Sequence, residues 1–260
     1  MIDLHTHLLP GVDDGARTLA RALAVLERAA AAGVRVVACT PHLRSSALRR
    51  GAPARHEALL AALAEGAPAG VTVLHGWEIM LDEPAVALTD RSLAIGDSGA
   101  VLVEWPRGPA LPPNGVAELA RIRASGVVPV LAHPERYPGA SPAQARAWRD
   151  AGAVLQGDAT LFRAPGTRGA AARALLAAGA LDLLASDNHG DGRTLAAARE
   201  ALTAAGAPEA ALLLTEVNPE RILRGLPPHP VPPVADEPGR WARIARFVTR
   251  LRERPRGDRA

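Results

Sequence analysis

The sequence predicts an α/β fold whose parallel strands close into a barrel rather than spreading as an open sheet. Seven short β-branched or apolar runs alternate with longer alanine-rich stretches that read as helices. The chain is 48% hydrophobic but only 3% aromatic, so its core must be Ala, Val and Leu, which suits helices packed around a parallel sheet. At 260 residues it is long enough to bury a large core.

The first strand is expected over Met1–His7, followed by a helix over Thr18–Ala32 that ends at Gly33. Val34–Thr40 is the second strand and Ala54–Glu65 the next helix. Strands three and four fall at Val71–Trp77 and Ala100–Trp105, and a helix over Val116–Ala124 runs to Gly126. After strand five, Val127–Ala132, Ser141 and Pro142 supply an N-cap and a first helical residue for Pro142–Ala151. Ala153–Gly157, a helix over Arg168–Ala178 ending at Gly179, and Leu181–Ser186 complete the seven. A weaker eighth strand is expected at Leu212–Thr215. These elements assign residues 1–225 to the barrel, with a Pro-rich linker over 226–239, opened by LPPHPVPP, and an Arg-rich C-terminal helix or tail over 240–260. In that tail Trp241, Ile244, Phe247, Val248 and Leu251 form an apolar stripe at helical spacing.

All basic charge is arginine. Eight arginines in 240–260 face only Glu253 and Asp258, so that stretch carries +6 and the other 239 residues −3 of the net +3. The high pI belongs to a tail and gives no reason to expect nucleic-acid binding. The single cysteine, Cys39, excludes an intrachain disulfide and suits a reducing compartment. There is no signal-peptide pattern and no run long enough to span a membrane, so a cytoplasmic location is expected.

The chemistry collects at the strand ends. On a strand, His5 and His7 share a face, and two converging imidazoles suit a transition metal. The following strands end in TPH (His42), GWE (Glu78), VEWP (Glu104), AHPERY (His133) and SDNH (Asp187, His189). A parallel barrel gathers the C-terminal ends of its strands around one mouth, where active sites form. Four or five histidines with three or four carboxylates exceed the needs of one tetrahedral ion and fit two or three ions of the manganese, iron or zinc kind. Paired ions suit phosphoester hydrolysis. Arg136 in HPERY and Arg193 beyond His189 could neutralise phosphate by bidentate hydrogen bonding. A cysteine-based phosphatase would need an arginine six positions after Cys39, where Ser45 stands. No nucleophile elbow or P-loop is present.

DLHTHLLPGVDDG, ACTPH, GWEIM, VLVEWP, AHPERY and SDNH, in this order and spacing, resemble the polymerase-and-histidinol-phosphatase (PHP) superfamily. Within it they are most similar to the bacterial manganese-dependent protein tyrosine phosphatases of capsule and exopolysaccharide biosynthesis. The resemblance covers about residues 1–225 and includes NPERIL near its end. It implies a distorted (β/α)7 barrel with a trinuclear Mn2+ site. One ion would take His5, His7, Glu78 and Asp187, and a second Glu78, Glu104 and His133, with Glu78 bridging. A third would take Asp14, His42 and His189, and Arg136 and Arg193 would hold the phosphate. Spacing alone favours Asp14 over Asp13. Leu43 departs from the family, where a polar residue often follows the histidine, and the Arg-rich extension lies outside its pattern.

The resemblance further implies hydrolysis of phosphotyrosine on a bacterial tyrosine autokinase. A PHP phosphoesterase acting on histidinol phosphate, a sugar phosphate or a nucleotide is the alternative, and short loops after the strands favour the open mouth a protein substrate needs. A non-catalytic barrel should have lost ligands, and none is missing. Oligomeric state is left open by the sequence.

Overall fold

The computed structural model describes residues 1–237 together with Gly239, Trp241, Arg243 and Ile244. Among the described residues, nine parallel strands form two ladders. One contains β1 (Ile2–Thr6), β2 (Val36–Cys39) and β4 (Thr72–His75). The other runs β3 (His42–Arg44), β5 (Glu78–Met80), β6 (Ala100–Glu104), β7 (Val128–Ala132), β8 (Val154–Asp158) and β9 (Leu183–Ala185).

The ladders are one surface. Only Thr40 and Pro41 separate β2 from β3, and only Gly76 and Trp77 separate β4 from β5. Pro41 has no N–H to donate, so the ladder lapses there, but Glu78 N–H donates to the Pro41 carbonyl at 3.0 Å and Gly76 N–H to that of Cys39 at 2.9 Å. Seven chain runs therefore lie side by side, as the alternation predicts. At the far edge Asp187 N–H donates to the His5 carbonyl at 2.9 Å, and His7 N–H to that of Asn188 at 2.8 Å. These bonds bring the last run back to the first.

Small and branched residues fill the inside of the ring: Ile2, Leu4, Ala38, Ala100, Leu102, Val130, Ala132 and Leu183. The opposite faces, with Val37, Cys39, Val101, Val103, Leu131 and Leu155, pack under the helices. These are α1 (Leu19–Ala31), α2 (Glu57–Glu65), α3 (Gly115–Ala124), α4 (Pro142–Asp150), α5 (Gly166–Ala177) and α6 (Leu195–Ala204). Helix α1 begins where the Thr18 hydroxyl accepts from Arg21 N–H, and α4 where Ser141 accepts from Gln144 N–H at 3.2 Å. Ala145 and Trp148 turn one face of α4 into the core.

The expected eighth strand does not form. Leu212–Thr215 is helical: α7 (Pro208–Leu212) passes into one π-type turn, Leu213–Val217, and then α8 (Asn218–Leu223). Pro208 opens that helix, and the Thr215 hydroxyl turns back to the Ala211 carbonyl at 2.7 Å. Three leucines and a threonine cannot by themselves distinguish a buried strand from a buried helical turn.

Residues 226–237 have no regular structure and lie against the barrel. Asn218 exchanges hydrogen bonds with the His229 backbone, Val234 N–H donates to Leu176, and Val231 and Val234 are buried. Trp241 is buried edge-on against Phe162. The rest of the expected Arg-rich helix, with Phe247, Val248 and Leu251, lies outside the described residues. Among the described residues no helix is long and apolar enough to cross a membrane.

Trp148, 1% exposed, anchors α4 to the sheet. Trp148→Ala should cost about 3–5 kcal/mol, measured as a lowered midpoint of urea unfolding with little change in slope.

Candidate metal centre

Every strand run sends a polar side chain to the same end of the ring, and β1 does so by breaking its own alternation. Asp3 pairs with Val37 but Thr6 with Cys39, so one extra residue is bulged into β1. Ile2 and Leu4 pack inside the ring, yet His5 also turns inward, to Gln156 and Glu78. Without the bulge Leu4 and His5 would face opposite ways. At two other run ends, His133 (φ 36°) and Asp187 (φ 48°) hold the left-handed conformation. That costs roughly 1–2 kcal/mol per residue and is typical of functional sites.

His5 Nε2, His7 Nε2, Glu78 Oε2 and Asp187 Oδ1 converge. The two imidazole nitrogens are 3.2 Å apart and each lies 3.3–3.4 Å from both carboxylate oxygens. All four residues are at most 2% exposed. A metal bound at about 2.0–2.2 Å to four tetrahedral donors separates those donors by about 3.3–3.6 Å, so the spacing fits an ion.

The protons fit as well. Gln156 Nε2 donates to the Gly157 carbonyl at 2.7 Å, which fixes its amide and leaves Oε1 to accept from His5 Nδ1–H at 2.8 Å. His7 Nδ1–H donates to Asp13 Oδ2 at 2.6 Å. In both rings Nε2 then carries a lone pair aimed at the shared point. Two lone pairs and two carboxylate oxygens facing each other in a dry site repel unless a cation, metal or proton, sits among them. Burial opposes a charge on His7, yet its contacts with Asp13, Asp187 and Glu78 raise its pKa well above the ordinary value. Glu78 and Asp187 are likewise buried, and surrounding positive groups hold both well below the usual carboxylate range.

Three further donor sets adjoin this one: His5, Glu78 and His133; His42, Glu78 and Glu104; and His7, Asp14, His42 and His189. Glu78 serves several of them, with Oε1 2.9 Å from His133 Nε2 and Oε2 3.0 Å from His42 Nδ1. Glu104 stands 3.7–3.8 Å from His42 and His133. Burial and the charge of Glu78 push its carboxyl up to about 7. Asp14 lies 3.4 Å from His42 Nε2 and 3.3 Å from His189 Nε2. All nine residues named as ligands from sequence are thus brought together. Asp13 is occupied instead by His7 and the backbone N–H groups of Gly15 and His42. Burial would raise its pKa, and these hydrogen bonds bring it down to about 2.

Arg136 and Arg193 stand at the same mouth, both engaged by carboxylates. Arg136 Nη2 reaches Asp158 and Asp187. Arg193 bonds Asp187 at 3.3 Å and Asp191 at 2.9 Å. Sequence reasoning missed Gln156, Asp158 and Glu135. Asp158 stands one residue beyond the sixth predicted strand, at the one strand end left without a named group. Glu135 is buried and accepts from Asp158 N–H at 2.7 Å; burial and the Asp158 charge push it up to about 8. Cys39 is not at the mouth: it is fully buried under the helices, and burial raises its thiol to about 12, which rules it out as a nucleophile.

Parallel strands in a barrel-like ring, with a polynuclear set of imidazoles and carboxylates at their C-terminal ends, define the PHP type of α/β protein. Within that class the chain belongs to the capsular polysaccharide synthesis family CpsB/CapC, which it matches over residues 1–224. It is 32% identical over 142 residues to the tyrosine-protein phosphatase YwqE of Bacillus subtilis, a match covering 52% of this chain and 55% of that protein. It is 26% identical over 147 residues to the tyrosine-protein phosphatase CpsB of Streptococcus agalactiae, covering 53% and 58%. The chain thus spans about half the length of the curated relatives it matches. A solved structure from work on YwqE and on CpsB of Streptococcus pneumoniae, metal-dependent tyrosine phosphatases, superposes with a TM-score of 0.73 at 25% identity. It covers 91% of this chain and all of that one.

Asp13 supplies no atom to the converging set, yet it fixes the His7 ring. Asp13→Ala should weaken metal affinity about 10- to 100-fold, measured by calorimetric titration with Mn2+. It should also lower the unfolding midpoint of the metal-free protein, because it strips the acceptor from the buried His7 ring and from the Gly15 and His42 N–H groups.

Proposed function

We propose that this chain is a metal-dependent phosphatase that hydrolyses phosphotyrosine on proteins. The observation that carries the reading is the convergence of nine donors at one mouth, in a chain similar to metal-dependent tyrosine phosphatases. His5, His7, Glu78 and Asp187 would hold one ion; Glu78, Glu104 and His133 a second; Asp14, His42 and His189 a third. The donors are imidazole and carboxylate with no thiolate, which suits manganese, with iron or zinc as substitutes. When bound, such ions lower the pKa of a water and neutralise charge that develops on phosphate oxygens.

The protein's own part is to orient and to neutralise. Gln156 and Asp13 set the tautomers of His5 and His7, so lone pairs face the mouth before any ion arrives. Asp158 and Asp187 brace Arg136, and Asp187 and Asp191 brace Arg193. The free N–H groups of both guanidinium forks would bind phosphate oxygens. A phenol leaves with a pKa of about 10, so departure of tyrosine demands less proton transfer than departure of an alcohol. The substrate we propose is a bacterial tyrosine autokinase that controls capsule or exopolysaccharide export, met in the cytoplasm. Residues 1–225 would carry the catalysis, with 226–239 as a connecting segment and 240–260 as an appended basic tail.

Chelation should abolish hydrolysis of a phosphotyrosine peptide and Mn2+ should restore it. Wild-type kcat/KM on that peptide should exceed that on histidinol phosphate or a sugar phosphate; the reverse order would favour the small-metabolite reading. His5→Ala and Glu78→Ala should remove nearly all turnover, and Cys39→Ser should leave it largely intact.

Arg136→Ala and Arg193→Ala should each lower kcat/KM on the order of ten- to a hundredfold, the equivalent of a charge-assisted hydrogen bond. Bound metal, measured by elemental analysis, should stay at the wild-type level, and lysine should rescue only in part.

A further inference from the structure

We infer that the cleft beside the metal centre is a second anion subsite, in which Arg107 and Arg168 bind an acidic side chain of the substrate close to the phosphotyrosine. The inference rests on the phosphatase reading above and concerns which protein sequences the mouth accepts. A cavity of about 300 Å3 opens from Glu104, His133 and Arg136, and Arg107 and Arg168 line it as well. The space is therefore continuous with the donor cluster. Arg107 stands in the connection between β6 and α3, close enough for its charge to be felt at Glu104, and Arg168 in the first turn of α5.

The charges in this cleft are unevenly satisfied. Arg136 and Arg193 are held by Asp158, Asp187 and Asp191. Neither Arg107 nor Arg168 has a carboxylate within 4 Å among the described residues, and both are exposed. Two unneutralised guanidinium groups bordering a shared concavity attract an anion and fit its oxygens with paired N–H donors.

The cleft is also preformed. Trp105 N–H donates to the Tyr137 hydroxyl at 3.2 Å, and that hydroxyl donates to the Ala132 carbonyl at 2.9 Å, so the loop after β6 is tied to the end of β7. Pro106, Pro112 and Pro138 restrict the walls further. A rigid wall lowers the entropy lost when a peptide is bound. The anion can be the carboxylate of Asp or Glu or the phosphate of a second phosphotyrosine, and substrates carrying each separate the two.

Manganese-loaded protein is assayed on three peptides of equal length: one phosphotyrosine among neutral residues, the same with adjacent glutamates, and the same with a second phosphotyrosine. p-Nitrophenyl phosphate, which cannot reach a second subsite, is the control. The wild type should favour one or both anionic peptides by about five- to tenfold in KM, with kcat nearly unchanged. Arg107→Ala with Arg168→Ala should erase that preference and leave kcat/KM on p-nitrophenyl phosphate within about twofold. An equal loss on p-nitrophenyl phosphate would overturn the inference, because the arginines would then hold the reacting phosphate. A preference that survives the double substitution, or none in the wild type, would overturn it too. Fluorescence anisotropy with phosphonate analogues of the three peptides, which resist hydrolysis, reads the subsite apart from turnover. Discrimination in binding without turnover of any peptide would remove the phosphatase reading and keep the subsite.

Discussion

Four electron-rich atoms, His5 Nε2, His7 Nε2, Glu78 Oε2 and Asp187 Oδ1, converge at 3.2–3.4 Å in a buried site, where they repel one another unless a cation, metal or proton, sits among them. This mutual repulsion is the constraint on which the rest of the structure depends. The protein must hold the four together against it, which is why their supports are buried and specific: an amide fixed by a carbonyl at Gln156, a carboxylate fixed by two backbone N–H groups at Asp13. The bulge in β1 and the left-handed turns at His133 and Asp187 are local costs that the surrounding sheet sustains.

Asp187 shows how charge is shared across the mouth. Its carboxylate meets His5 and His7 through one oxygen and Arg136 and Arg193 through the other. The same side chain therefore couples the centre to the groups proposed to bind phosphate. Removing either arginine leaves buried negative charge with one partner fewer, a cost larger than that of a lost surface ion pair. Glu78 divides its oxygens in a similar way between His133 and the remaining imidazoles.

Much of this was legible in the sequence. The seven runs were visible because a parallel sheet buried on both faces needs unbroken apolar segments, and the candidate ligands because they stand at the ends of those segments against an alanine-rich background. What a linear pattern could not show was direction. Regular alternation places Leu4 and His5 on opposite faces, and only the register of β1 against β2 reveals the bulge that turns both inward. Spacing alone chose Asp14 over Asp13; the hydrogen bonds that occupy Asp13 involve His42, distant in sequence. Leu212–Thr215 misled because three leucines and a threonine are too few to show a period, and Pro208 and the alanines before them start a helix. Gln156 and Glu135 carried no signal, since a buried amide or acid is recognised by its partners and not by its neighbours in the chain.

The closure of the ring has a consequence for how the protein is made. His5 and Asp187 are joined by a backbone hydrogen bond as well as by the site, and 182 positions separate them. While the chain emerges from the ribosome, β1 waits with one edge unpaired until the run that ends at Asp187 has been synthesised. Such distant pairing slows folding and leaves an edge open to other chains in the interval. The candidate donors run from His5 to His189, so the set is complete only once the run that ends at Asp187 has docked against β1.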